Sequence, residues 1–233
     1  MQPDTFVVES IGRRERRRRR RDERGPMTIK ASSLLSIVAI WAMMGAAVAK
    51  EPDQWPALIF AFFATCAIGA SAWRRLGISR MVAIAGIWAG TALGAAYADA
   101  GLFLSIFAFL STGAVVYSSM HRDALLNGIG AAAPWVVTGI VVAVNGDGGA
   151  WIAIFAFLTS SALAHTYRGE ARGIAAVFWW GLAGAIMIIG GGGAWYWLCV
   201  PALILTETSL GINEISLPRG IEWDIFGRGS ESD

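Results

Sequence analysis

The chain has little charge, little cysteine and almost no histidine. Only 15% of its 233 residues are charged, where a soluble domain carries about 25%. Between Ala31 and Glu214 the count is 15 charged residues in 184. That excludes an ordinary soluble domain and a largely disordered chain. Two cysteines, Cys66 and Cys199, are too few for a disulfide framework, have no zinc-type spacing and lie in apolar stretches. The two histidines, His121 and His165, fall at different segment ends and make no metal pair.

Catalytic constellations are missing as well. No Ser/His/Asp or Cys/His set can be assembled, no two carboxylates share a plausible site, and no HExxH, nucleotide-binding or haem-ligand spacing occurs. The glycines Gly190 to Gly193 are not followed by Lys-Ser/Thr and make no phosphate loop. Asn145-Gly146-Asp147-Gly148-Gly149 lacks the remaining ligand positions of a calcium loop. Lys50 stands at the end of an apolar stretch, the wrong place for a retinal Schiff base. The sequence therefore predicts a protein that is not an enzyme and holds no metal or cofactor.

What is present is apolar residues, 55% of the chain, and a basic head. Ten of the 19 Lys and Arg lie in the first 30 positions, among them Arg16, Arg17, Arg18, Arg19, Arg20 and Arg21. Residues 1–30 read as a self-repelling, disordered cytoplasmic tail held near anionic lipid headgroups, where each cation contributes about 1 kcal/mol. No aromatics interleave the arginines, so nucleic acid is not the expected partner. Translation from Met27 is an alternative that would remove this tail.

Beyond Lys30 the sequence divides into apolar stretches at 32–49, 55–73, 80–98, 102–120, 125–144, 150–167, 173–190 and 194–211. Each has 18–20 residues, close to the roughly 20 that cross 30 Å of hydrocarbon as a helix. One set of links carries Arg74, Arg75, Arg80, Arg122, Arg168 and Arg172; the opposite set carries only Lys50 among basic residues, with Glu51, Asp53, Asp99 and Asp147. The Lys/Arg excess marks the cytoplasmic side. The expected topology is a multi-pass protein of the plasma membrane with eight spans and both termini cytoplasmic. Trp55, Trp151, Trp195 and Trp197 on the outer side, and Trp73, Tyr117 and Tyr167 on the inner side, suit interfacial belts. Read from Met27, the first stretch also resembles a signal peptide, with Ala47-Val48-Ala49 as the cleavage site. Cleavage would leave seven spans.

An internal repeat favours eight. Ile-Phe-Ala-Phe occurs at Ile59–Phe62, Ile106–Phe109 and Ile154–Phe157, at offsets of 47 and 48. A tryptophan precedes each by 18 or 19 residues: Trp41, Trp88 and Trp135, with Trp180 before a weaker fourth copy at Cys199 to Ala202. A fixed period of this length marks tandem duplication of one unit. The predicted fold is an all-α polytopic membrane protein of four parallel two-helix repeats of about 47 residues: 32–73, 80–120, 125–167 and 173–211. Closed up, they would be related by an axis along the membrane normal. The segment 212–233 reads as a cytoplasmic tail, partly amphipathic and lying at the interface, or less readily a docking segment for a partner.

The repeat aligns a polar column, Thr65, Thr112, Ser160 and Thr206, near mid-depth of the second helices, with Cys66, Gly113, Ser161 and Glu207 beside it. Hydroxyls here serve close packing and bonds to the carbonyl four residues back, or else line a narrow polar path if the hairpins ring an axis. Glu207 is an intramembrane carboxylate, which by default suggests function. No basic residue of a neighbouring span offers itself as partner, so a proton-linked or interfacial role is expected in place of a buried ion pair. Gly86, Gly90 and Gly94 make a close-packing face, Gly181 and Gly184 suggest another, and Pro134 should kink its helix.

The tryptophans Trp41, Trp88, Pro134-Trp135 and Trp179-Trp180 make the chain resemble small bacterial repeat membrane proteins of the HdeD and SPW-repeat type across 32–211. Ala133 stands where the Ser-Pro-Trp signature has serine. The resemblance implies tandem helical hairpins and no mechanism. The expected function is a non-enzymatic structural or accessory membrane protein whose partners are the bilayer and a second copy or a membrane complex. The alternative is a channel or small-solute transporter with Thr65, Thr112, Ser160, Thr206 and Glu207 along its path.

Overall fold

A computed structural model describes residues 31–71, 76–118, 125–165 and 171–208. Among these there are eight α-helices and no strand: α1 (Ala31–Lys50), α2 (Ala57–Ala70), α3 (Ile78–Tyr97), α4 (Gly101–Tyr117), α5 (Leu125–Asn145), α6 (Ile152–His165), α7 (Ala171–Ile189) and α8 (Cys199–Thr208). The arginines Arg16 to Arg21, the links with Arg74, Arg75, Arg122 and Arg168, and the segment 212–233 lie outside the described residues. Five stretches are long and apolar enough to cross a membrane: α1, α3, α5, α6 with its preceding turn, and α7.

The odd helices run 19–21 residues and match the expected spans, but the even ones are shorter than expected. α2 has 14 residues where the stretch 55–73 predicts 19. Local chemistry accounts for this at both ends. At the N-terminal end a 3₁₀ turn, Pro52–Gln54, and then Trp55-Pro56 bring the chain in before α2 starts. At the other end Ser71 Oγ donates to Ile68 O at 2.8 Å, satisfying a last-turn carbonyl as the helix stops. Ser118, 47 residues on, ends α4 in the same way by donating to Val115 O at 2.7 Å. The last expected span, 194–211, divides into a 3₁₀ helix, Gly193–Leu198, and α8. Their six and ten residues rise about 12 Å and 15 Å, together near the hydrocarbon thickness.

The helices lie in two rows. α1, α3, α5 and α7 pack side by side in one; α2, α4, α6 and α8 form the other, each even helix against the odd helix before it. The odd row is held by glycine. A Cβ on Gly90 of α3 would sit 2.0 Å from Trp135 O, one on Gly139 of α5 would sit 2.2 Å from Gly90 O, and one on Gly130 would sit 2.5 Å from Gly173 Cα. Backbone therefore meets backbone from α3 to α7, the approach that only glycine allows. The even row is aromatic: Phe60 and Phe63 of α2 reach Phe109 of α4, and Phe107 of α4 reaches Phe157 of α6, at centroid distances of 5.9–6.5 Å.

The rows stay open. α1 packs on α2 and α3, α7 on α5 and α8, and no interface joins α1 to α7. The hairpins form a ribbon and do not close round a central axis. Pro134 lies inside α5, which runs unbroken past it. The turns after α5 and α7 are built on left-handed glycines, Gly146 (φ 82°) and Gly191 to Gly193 (φ 72°, 85° and 62°), where a side chain would be strained. Asn145 Nδ2 donates across to Met187 O at 3.1 Å, which ties the end of α5 to the last turn of α7.

Candidate functional site

The tryptophan and hydroxyl columns meet. Trp88 is fully buried in α3, and its Nε1 donates to Thr112 Oγ1 of α4 at 3.0 Å. Thr112 Oγ1 in turn donates to Ala108 O, four residues back, at 2.8 Å. Trp41 and Thr65 repeat the relation between α1 and α2, at 3.1 Å, with Thr65 donating to Ala61 O at 2.8 Å. Both pairs are 24 residues apart. A hydroxyl has one proton to give, and here it is given to the helix backbone, while one lone pair is taken by the indole.

The other two hairpins vary. Ser160 Oγ lies 2.8 Å from both Ala156 O of its own helix and Ala131 O of α5, so its single proton serves one or the other. Serine has no methyl to fix its rotamer, and it bonds the α5 backbone where threonine bonds an indole. Trp135 Nε1 finds no hydrogen-bond partner among the described residues, nor does Trp180 Nε1. Thr206 Oγ1 donates to Ala202 O at 2.7 Å. Thr112, Ser160 and Thr206 are fully buried. Each hydroxyl sits in its own hairpin along the even row, with α2 and α8 at opposite ends of that row.

Glu207 is the site residue whose surroundings differ most from expectation. A partner does exist: Arg172 Nη2 lies 3.6 Å from Glu207 Oε2. The arginine had counted as a link residue beyond the span, but it is the second residue of α7 and only 4% exposed. Its side chain runs along the hairpin to the end of α8. Glu207 is one-third exposed, and its Oε1 has no hydrogen bond among the described residues. The pair joins the first turn of α7 to the last turn of α8.

Arg172 belongs to a set that the reading of links and spans had missed. Eight residues before the four tryptophans stand Ser33, Arg80, Asn127 and Arg172. All four are buried polar residues in the first turns of the odd helices. Arg80 Nη2 donates to Ser118 O at 2.7 Å, so this arginine reaches the end of α4 as Arg172 reaches the end of α8. A cation beside a helix C-terminus is favoured by the exposed carbonyls and the dipole. The tryptophan register would have revealed the set; charge sorting by link concealed it.

The opposite end of the rows is tied by different chemistry. Gln54 Nε2 donates to Asp99 Oδ1, and the Lys50 ammonium sits 3.0 Å above the Tyr97 ring. Trp151 packs against Tyr196 and Trp197 at 6.5 Å and 5.0 Å. Among the described residues no group of three His, Cys, Asp or Glu is placed to hold a metal. Comparison with known protein families, with characterised proteins and with solved structures gave no match.

Proposed function

We propose that the chain is an integral membrane protein of four tandem helical hairpins, eight spans in all, with both termini cytoplasmic and a structural or accessory role. The tandem reading is supported by relations that recur at the repeat spacing: Trp41 with Thr65 and Trp88 with Thr112, Ser71 with Ser118 as helix ends, and the buried set Ser33, Arg80, Asn127 and Arg172. The side assignment rests on charge: Arg80 and Arg172 at one end of the rows, Lys50, Asp53, Asp99 and Asp147 at the other.

One observation carries the choice of role. The hydroxyls that would line a path are engaged within their own hairpins, Thr112 both donating to Ala108 O and accepting from Trp88. A conducting path needs lone pairs and protons free to face a solute. The hydroxyls of this chain are used as helix-to-helix clasps, and the open rows favour a ribbon that partners can extend over a pore. The plasma membrane is the expected location, with the arginine tail at anionic headgroups.

The experiment replaces Thr112 and Ser160 by leucine and follows both thermal stability in detergent and solute flux in proteoliposomes. The packing role predicts loss of stability, with no flux of ions or small polar solutes through the unaltered protein. Flux through the unaltered protein, abolished by the leucines while the fold survives, would support the channel or transporter reading in its place.

A further inference from the structure

The odd row repeats one contact three times. Counting from the tryptophan, the residue six places on lies toward the following odd helix in α1 and α3: Ala47 clusters with Ala92, Ala95 and Ala96 of α3, and a Cβ on Gly94 would sit 3.6 Å from Val142 Cγ1 of α5, though nearer to Leu104 of α4. The residue four places on points at the preceding helix and is small in every copy: Gly45, Ala92, Gly139 and Gly184. Gly139 receives the α3 backbone at Gly90 O, and a Cβ on Gly184 would sit 2.5 Å from Val137 Cγ1, two places after the α5 tryptophan. Three of these four small residues therefore have a preceding helix to face, and Gly45 has none. A Cβ added at Gly45 meets nothing within 4 Å.

The row thus ends in two complementary faces. On α1 the face that would receive a preceding helix holds Leu34, Val38 and Gly45, all exposed. On α7 the face that would be offered to a following helix holds Phe178 and Leu182, 59% and 46% exposed, and Ile186. α1 and α7 are also the least buried of the four odd helices. Lipid would accept either face as it stands, and a Cβ on Gly69, Gly113 or Gly181 would also meet open space; Gly45 differs from these in standing at the register position where Gly139 and Gly184 receive a preceding helix. The small position matters only if a side chain enters it, as Val137 does at Gly184.

We propose that a second copy of this chain covers α1: α7 of one copy packs on α1 of the next, head to tail, with Leu182 at Gly45 as Val137 is at Gly184. This rests on the tandem reading above. The two copies share one membrane orientation, because α5 and α7 within a chain already do. The contact is heterologous, so it generates a ring or an open row of chains and not a two-fold dimer.

The test uses the full chain in its own membrane, in a background with Cys66→Ala and Cys199→Ala. Copies carrying Gly45→Cys and copies carrying Leu182→Cys, with different tags, are co-expressed and treated with a mild oxidant. The proposal predicts a disulfide-linked dimer bearing both tags, at least tenfold more abundant than dimers from either variant alone. It also predicts that Val38→Cys links to Ala175→Cys, seven places back on each of the two parallel helices, and that adding Gly45→Leu keeps the melting temperature but removes that mixed dimer. A Gly45→Cys copy that links to itself would overturn the head-to-tail contact, and so would the absence of a mixed dimer, which leaves lipid as the cover. Within one chain, Val137→Cys with Gly184→Cys separates the two levels of the claim. If that pair links and the mixed dimer does not form, only the second copy is refuted; if a folded chain fails to link it, the repeated packing fails and the proposal falls with it.

Discussion

The indole N–H of Trp88 donates to Thr112 Oγ1 at 3.0 Å, and the Thr112 hydroxyl in turn donates a hydrogen bond to Ala108 O. The bond lies between two buried side chains, so neither partner has water as an alternative. Interhelical bonds of this kind in membranes contribute about 0.6 to 2 kcal/mol. Thr112→Val and Trp88→Phe should each lower stability. A double-mutant cycle should give a coupling of about 1 kcal/mol. Trp41 with Thr65, where the indole is 39% exposed, should couple more weakly. Unfolding in mixed detergent, followed for the four proteins of each cycle, measures this.

The glycines of the odd row differ sharply in what surrounds them. A methyl at Gly90 would press on the backbone of Trp135 at 2.0 Å, and one at Gly45 would meet open space. Gly90→Ala should cost about 3 kcal/mol or prevent folding, since backbone cannot step aside as a flexible side chain can. Gly45→Ala should change stability by no more than about 0.5 kcal/mol. Melting temperatures of the two variants in one detergent make the comparison.

Arg172 and Glu207 join α7 to α8 from an almost fully buried arginine and a partly exposed glutamate. Glu207→Gln removes the carboxylate charge beside the guanidinium and should destabilise by about 1 to 3 kcal/mol, less than for a fully buried pair because water reaches Glu207. Replacing both, Arg172→Met with Glu207→Gln, should recover most of that loss. Thermal melts of the single and double variants decide it; equal losses in both would show that the arginine contributes through its stem and not through the pair.

Ala47, the first residue of the small-x-small site read as a signal cleavage point, is buried inside α1 against Ala92, Ala95 and Ala96. Removing residues up to Ala49 would strip α3 and Thr65 of their neighbours. The intact mass of the purified protein should therefore include Ala31–Lys50, and a chain beginning at Lys50 would show that the seven-span form is the mature one.

Much of this architecture was legible because long apolar helices advertise themselves by length and composition, and because the tryptophans and hydroxyls recur at one spacing. Trp88 and Thr112 could be placed in columns from spacing alone. That the two columns touch could not, since spacing fixes a face of one helix and not the rotation of the next. The short even helices escaped for another reason: Trp55, Ala194 and Trp195 count as apolar whether they belong to a span or to the turn that leads into it. Arg172 escaped because charge at a segment end reads as a link. Its long apolar stem lets a residue of the first turn of α7 bring its guanidinium to the Glu207 carboxylate in the last turn of α8.

Four hairpins with one orientation are the centre of this account, and single cysteines at the turns test it most directly. In the Cys66→Ala, Cys199→Ala background, Asp53→Cys, Asp99→Cys, Asp147→Cys and Ala194→Cys should all react with a membrane-impermeant maleimide added to intact cells. Gly77→Cys, Tyr117→Cys and His165→Cys should react only after the membrane is opened. An outer-turn cysteine that stays shielded in intact cells while the other three are labelled would mean that one helix does not cross, and the four-hairpin arrangement would be contradicted.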